Sequence, residues 1–539
     1  MSLTSLRSSP ALTNAALAGS LAALLAWFGP PGTDFAAHVF QLHVYLEHGF
    51  ALWTNYWYAG RYTFVGYSVL YYPLAALLGI RLLAVLSVAA STAAFTLVIR
   101  QTWGEQTVWA TRFFAVVAAA SVLSAAFPYG LGLALALTAL VAIARRHMAM
   151  FGVLAALTLA ASPLAFLFLL LVLGAAAVSR SPREIVKPAA IAGIIGAVGL
   201  LVWRLFPDHG TYPFALSELL AALLFCSYGA ALTWRLERGR ILHALFVAYG
   251  VVCVVAYLVP SNLGENVVRL RYAAIPISVL TLSLRRWRPL PVAALAFALA
   301  FSWNVTPLLW SFSRTSDDPS AHAAYWQPVV HYLHYSLAPA YRVEVVATAD
   351  HWESVYLPQG RIPIVRGWFR QDDFPQNEVL YDNLTRSSYL TWLRRLSVRY
   401  VVLTDAAPDY SARHEVQLLR SGDSGLQAVA WLPHATVYSV PSPTPLVTGP
   451  GRPHVDSLTE STITLRLSLP GRYHLGIRYT PYLRSPRTCI SESKDGMTIL
   501  NAPRAGTIEL RFSLTTKGAL AALTGSRTTC SKPTASRSP

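Results

Sequence analysis

The 539 residues are 54% hydrophobic and only 13% charged, about half the charge of a soluble domain, and the mean hydropathy is +0.43. A wholly soluble protein is excluded. The formal net charge of +17 does not imply nucleic acid, because Lys and Arg fall in short clusters between apolar runs, the pattern that sets membrane topology.

Residues 11–29 follow Arg7 and run into "PPGTD" without a small-residue cleavage site, which predicts an uncleaved first span. Apolar runs and breakers predict eleven helices, at 11–29, 80–100, 108–127, 129–144, 149–161, 163–179, 188–206, 214–234, 241–259, 267–284 and 289–309. The fifth and sixth are short and meet at Ser162-Pro163, as half-spans or as a tight pair. Arg100, Arg112, Arg145, Arg146, Arg183, Lys187, Arg235, Arg285 and Arg286 fall in one set of loops, and mainly Arg61, Arg204, Arg269 and Arg271 in the other. The first set is then cytoplasmic, as is the N-terminus of this multi-pass plasma-membrane protein. The predicted fold class is a polytopic α-helical membrane protein of about eleven spans. Its membrane domain is 1–309 with an outer loop at 30–79, and everything beyond about 310 is extracytoplasmic.

That outer loop opens on "GTDFAAHVFQLHVYLEHGF" (32–50), where Asp34 and His38 share one face of a predicted amphipathic helix. A carboxylate there serves as general base for a hydroxyl, or binds a divalent cation (Mg or Mn) together with His38; the alternative is an N-cap followed by interfacial histidines. The stretch 53–74 holds nine aromatic residues in twenty-two. These form an interfacial belt or a sugar-stacking surface of Trp57 and Tyr58, with Arg61 for a phosphate. In "VPSNLGENVVRLRYAAIP" (259–276), Arg269 and Arg271 oppose the positive-inside bias, and phosphate recognition beside Glu265 is one reason to keep them. A salt bridge to Glu265 or a lipid headgroup is the other.

Beyond 310 the chain predicts an α/β domain to residue 433, with strands at Arg342–Thr348 and Val398–Thr404 and helices at Ser388–Leu396 and Ala412–Leu419. Short strands from "TVYSV" to "TIELRFSL" predict an antiparallel sandwich at 434–523, followed by a disordered tail at 524–539. His351, Glu353 and Arg366, in "ADHWESVYLPQGRIPIVRGWFRQDDF", are candidates for binding an acceptor or for a packed core with paired charges. Cys489 and Cys530 lie outside the membrane domain and could form a disulfide, whereas Cys226 and Cys253 sit within helices. No Gly-rich phosphate loop, zinc-type spacing or GxSxG is found, which leaves ATP-driven and hydride-transfer chemistry unsupported.

An uncleaved first helix, an acid opening a large first outer loop, many spans and an outer C-terminal region resemble the GT-C glycosyltransferases. More closely, "TDFAAHVFQLHVYLEHGFALWTNYWYAGRYTFVGYSVLYYPL", "NLGENVVRLRYAAIP" and "HWESVYLPQGRIPIVRGWFRQDDFPQN" resemble bacterial membrane proteins labelled 6-pyruvoyl-tetrahydropterin synthase-related. The resemblance implies a polyprenyl-phosphate sugar donor, a cell-envelope glycan or lipid acceptor, and membrane lipid as partners. It also implies Asp34 as the base or metal-associated carboxylate, and Arg269 and Arg271 on the donor phosphate. Family members often carry two neighbouring acids in this loop; here none follows Asp34 until Glu47, so His38 stands where the second is expected. A transporter or flippase of lipid-linked saccharides, or a non-catalytic envelope-assembly protein, is the alternative reading. Polar residues gathered on one face favour the enzyme.

Overall fold

The computed structural model describes residues 9–178, 182–207, 210–486 and 488–528. The chain divides into two compact units. The first comprises 1–46, 67–201 and 209–317, and the second 47–66, 202–208 and 318–539.

Apolar helices form the first unit. Each predicted hydrophobic run is helical, from Pro10–Phe28 through Ile80–Trp103, Val108–Ala120 and Phe127–Ala144 to Leu290–Thr315. Eight runs among the described residues are long and apolar enough to cross a membrane, counting Ile80–Ser124 as one. That run folds back on itself at Gly104, whose φ of 69° a side-chain-bearing residue rarely adopts. Phe95 thereby stacks on Phe114, with ring centroids 4.0 Å apart. The short helices Met148–Ala161 and Pro163–Ala177 also fold back, because Phe151 from the start of one and Leu173 from the end of the other share a core cluster. They pack as a tight pair. At the turn Ser162 accepts a hydrogen bond from the Ala165 N–H, and Pro163 takes the first helical position, where its missing N–H is not needed. Small residues let the first helix approach its neighbour: Ala18 and Ala22 are fully buried, and Asn14 donates to Thr96 Oγ1 at 3.3 Å.

Two β-rich layers make up the second unit. Arg342–Val345 pairs parallel with Val398–Thr404, which continues antiparallel into Ala435–Ser439 and Gln427–Leu432. Helices Arg386–Arg395 and Arg413–Arg420 pack Tyr389, Leu393, Val416 and Leu419 into this domain's core. The segment "TVYSV", expected to open the sandwich, instead supplies Ala435–Ser439 to this sheet, so the boundary predicted at 434 lies past residue 439. The sandwich proper has two four-stranded antiparallel sheets. One is ordered Cys489–Glu492, Met497–Ala502, Gly471–Arg478, Val447–Thr448, and the other Leu483–Arg484, Gly506–Phe512, Thr462–Leu467, His454–Leu458. Cys489 is disulfide-bonded; its predicted partner Cys530 and most of the tail lie outside the described residues. Cys226 and Cys253 are buried free thiols.

Only part of the loop at 30–79 stays with the apolar helices. Residues 47–66 belong to the second unit, where Trp53–Thr54 pairs antiparallel with Arg61–Tyr62. Trp53 enters the sandwich core and stacks on Phe512. Gly60, at φ 113°, is required here, since a Cβ would sit 2.4 Å from the Trp53 indole.

Candidate functional site

Asp34 stands between the first helix and Phe35–His48. Its backbone N–H donates to Ser124 O at 3.3 Å, and Phe35 packs edge-on against Phe127. Gly32 is pressed so close that a Cβ would lie 2.7 Å from Leu123 O. The loop is thereby clamped to the turn between Val108–Ala120 and Phe127–Ala144, which fixes where the carboxylate points.

It points at Arg269. Arg269 Nη2 donates to Asp34 Oδ2 at 3.0 Å, and the side chains keep 19% and 14% of their exposure, enough to be reached and too little to be freely hydrated. Arg269 lies on a 3-10 helix, Gly264–Ala273, whose buried Val267 accepts from the Tyr249 hydroxyl at 3.1 Å. At about 120° per residue in such a helix, side chains two apart diverge. Arg271 accordingly reaches another acid, Glu218, at 3.3 Å. Asn304 holds this stretch from the far side by donating to Arg271 O. Tyr67, Tyr212 and Tyr272 lie close enough to Arg269 for electrostatic contact. Burial raises the Asp34 carboxyl above its ordinary value, against the opposing pull of Arg269, which makes it a stronger base than a solvated aspartate.

His38 does not join Asp34 as a ligand or proton carrier. It is fully buried, with Nε2 2.8 Å from Ala125 O and Nδ1 3.2 Å from the Tyr72 hydroxyl. Burial drops its pKa to about 3, so the ring is neutral. Because a carbonyl only accepts, Nε2 carries the hydrogen and Nδ1 accepts from Tyr72. Both nitrogens are engaged, and the Asp34–His38 pair therefore does not fit a divalent cation. Among the described residues no three His, Cys, Asp or Glu side chains gather in a way that could hold a metal. Glu265 accepts from the Ala215 N–H at the start of Leu216–Thr233, a structural contact, at 3.2 Å.

The other predicted site residues lie in the second unit and face inward. Trp57 is fully buried and donates to Ser354 O at 2.9 Å, and the Tyr58 hydroxyl donates to Phe369 O at 2.7 Å. Arg61 Nε is 2.7 Å from Asp372 Oδ2, and the guanidinium lies over the Phe369 ring. The aromatic stretch thus ties residues 47–66 to the α/β domain and offers no sugar surface at these three positions. Arg366 is enclosed between Glu344, at 2.8 Å, and Glu415, at 3.2 Å, with Tyr389 donating to Glu415. Glu353 is buried and accepts from the Thr348 hydroxyl at 2.6 Å, with His351 Nδ1 3.2 Å away. His351 and Arg370 both face Asp409, which they hold well below its ordinary pKa. Charges buried this completely need partners, and these have them. The geometry makes Arg366 and Glu353 parts of the domain interior.

The sequence marks Tyr67 and Tyr272 only as members of the aromatic stretch 53–74 and of 259–276, and Tyr212 and Glu218 only by a place near predicted outer helix ends; it does not place the tyrosines around Arg269 or Glu218 on Arg271.

No protein-family model matches the sequence, nor does any of the curated proteins compared with it. Among solved structures, the chain is similar to the cryo-EM structure of the arabinofuranosyltransferase AftD from mycobacteria, at 15% identity and a TM-score of 0.45. That alignment covers 94% of this chain and 57% of the other, so the chain spans little more than half the length of AftD.

Proposed function

We propose that this polytopic membrane protein is a glycosyltransferase of the GT-C type. It moves a sugar from a polyprenyl-phosphate donor to a cell-envelope acceptor on the extracytoplasmic face, where the charge bias of the loops puts both Asp34 and the second unit. The observation that carries this reading is a partly buried carboxylate held 3.0 Å from a guanidinium, a distance that one substrate can bridge. Arginine forks match phosphate oxygens, and an oriented carboxylate can take a proton from an acceptor hydroxyl. The donor phosphate takes Asp34's place on Arg269, leaving the carboxylate free to deprotonate the acceptor. The hydroxyl oxygen then attacks the anomeric carbon opposite the departing phosphate, inverting its configuration. His38 acts as a positioning residue, fixing the start of the Asp34 helix against Ala125 and Tyr72.

A transporter is the competing reading. It is disfavoured because the two pairs formed by the predicted outer arginines of the first unit, Asp34–Arg269 and Glu218–Arg271, have no counterpart set evident at mid-membrane in the sequence. Mass spectrometry of lipid-linked sugars and envelope glycans from a deletion strain separates the two. Accumulated donor with a truncated glycan is the expected result; accumulation confined to the inner leaflet overturns it in favour of flipping.

A further inference from the structure

A cleft of about 200 Å³ opens between helices Leu216–Thr233, Ala274–Leu284 and Leu290–Thr315 of the first unit. Its wall is apolar and aromatic: Phe225, Tyr228, Leu232, Leu282 and Ala296 line it, and Leu224, 44% exposed, stands at its mouth. Gly229 keeps the wall open, because a side chain there would run into the Phe246 ring. Leu216–Thr233 and Leu290–Thr315 are candidate membrane spans, so what meets the mouth of this cleft is hydrocarbon.

One end of the cleft meets a basic rim. Leu232 and Leu282 lie within two residues of the ends of their helices, at Thr233 and Leu284. Past those ends, 234–240 and 285–288 carry Arg235, Arg238, Arg240, Arg285, Arg286 and Arg288 against a single acid, Glu237. The positive-inside bias asks for charge in such loops, but not for a particular contact. Arg285 makes one: it is half-buried, and its Nη1 donates to Leu232 O at 2.9 Å, at the lip of the cleft. Arg286 and Trp287 then both adopt φ above 50°, uncommon for residues that carry side chains. The turn packs Trp287 on Phe297, beside the cluster of Leu232, Leu282 and Ala296, and leaves Arg286 and Arg288 exposed. Trp234, 62% exposed just after Thr233, marks this rim as headgroup depth.

We propose that the cleft is a binding site for an anionic phospholipid of the leaflet on that side, its phosphate on Arg286 and Arg288 and one acyl chain against Leu232, Tyr228 and Phe225. Such a lipid carries a negative head and a hydrocarbon chain in the order in which the rim and the cleft follow one another, and basic pockets between spans recognise headgroups of this kind. The seven residues from Leu232 to Phe225 rise about 10 Å, so the part of the chain nearest the glycerol is held. The site lies at the far end of Ala274–Leu284 from Arg269 and does not rest on the proposed reaction.

The test uses the full chain in vesicles, with phosphatidylglycerol and phosphatidylethanolamine of matched chains as probes, each carrying a diazirine on the glycerol-proximal part of one chain. After photolysis, labelled peptides are mapped by mass spectrometry. Labelling of residues 224–232 is referred to that of helix Pro10–Phe28, whose Leu17 and Leu24 are exposed. The expected result is a several-fold higher ratio of phosphatidylglycerol to phosphatidylethanolamine label at 224–232 than at 10–28, and loss of that excess in the Arg286→Gln/Arg288→Gln variant. Equal ratios in the unsubstituted chain overturn the proposal, since the cleft then does not select an anionic lipid. An excess that survives the double substitution also overturns it, by taking the phosphate off these arginines. Polyprenyl phosphate that abolishes the label at 224–232 alone overturns it as well, by giving the cleft to that lipid's tail. The variant exchanges only exposed side chains, the first comparison needs no variant, and neither readout depends on glycosyl transfer.

Discussion

A double-mutant cycle on Asp34 and Arg269 separates catalysis from structure. At 3.0 Å and an effective dielectric of about 20, the direct attraction of the pair is about 5.5 kcal/mol. Desolvation of both groups offsets much of this, so a measured coupling of about 1–3 kcal/mol is expected. Asp34→Asn alone leaves a guanidinium without its carboxylate, and Arg269→Gln alone leaves the reverse. Each lowers the thermal stability of the detergent-solubilised protein, and the double variant recovers most of that loss. Activity behaves differently if Asp34 is the base. Removing a positioned general base costs about 10²–10⁴ in rate, and neutralising Arg269 restores no base. The assay is transfer of radiolabelled sugar from a polyprenyl-phosphate donor to envelope acceptor in membranes, alongside unfolding midpoints of the same preparations. Recovery of stability without turnover is the expected pattern. Recovery of both in the double variant would refute the reasoning and reduce the pair to a salt bridge.

Further outcomes follow from individual contacts. Arg269→Lys keeps the charge but loses the fork, so donor KM should rise more than kcat falls, and unchanged KM would take the phosphate away from Arg269. Arg366→Ala strands two buried carboxylates, Glu344 and Glu415, and is expected to cost about 3–5 kcal/mol, seen as loss of folded protein in a thermal or denaturant scan. Gly367→Ala places a Cβ 2.5 Å from the Trp57 indole and should destabilise by about 1–3 kcal/mol through overpacking, exposing residues 47–66 to limited proteolysis. Glu460, buried beside Thr54, has its pKa raised to about 7 from 4.5. The folded chain thus binds that proton more tightly than the unfolded chain, and its contribution to stability is most favourable below pH 4.5 and is lost as pH rises to about 7. The loss is at most about 3 kcal/mol, and Glu460→Gln should flatten it in unfolding midpoints measured across that range.

The membrane helices were legible because a bilayer imposes length and hydropathy directly on sequence, and even the tight pair around Ser162-Pro163 was among the foreseen alternatives. The stretch 53–74 was ambiguous for a physical reason. Dense Trp and Tyr suit a headgroup belt, a sugar platform or a core, and only tertiary contact distinguishes them. Trp53 proved to be core of a sandwich that begins some four hundred residues later in the chain, so no local window could show it. Arg366 and Glu353 were read as open to an acceptor or paired in a core, and the carboxylates that settle the matter for Arg366, Glu344 and Glu415, are distant in sequence and adjacent in space.

Asp34 and Arg269 are a harder case of the same kind. Each was marked separately, the acid by its place after the first helix and the arginine by defying the positive-inside bias. Their pairing, 235 positions apart, was open to inference only through the resemblance. The structure explains how a chain can keep two arginines there. On a 3-10 helix Arg269 and Arg271 diverge, so each meets its own acid, Asp34 or Glu218, and neither guanidinium confronts the other. A neutral resting pair is also a chemical safeguard on the proposed reading. While Arg269 holds Asp34, the carboxylate is a weaker base than it is unpaired, although burial keeps it stronger than a solvated aspartate; the donor's phosphodiester, which carries one negative charge as the carboxylate does and accepts the same fork, takes its place. The base is then released only when a donor is in place, so acceptor activation is tied to the presence of the bond to be broken.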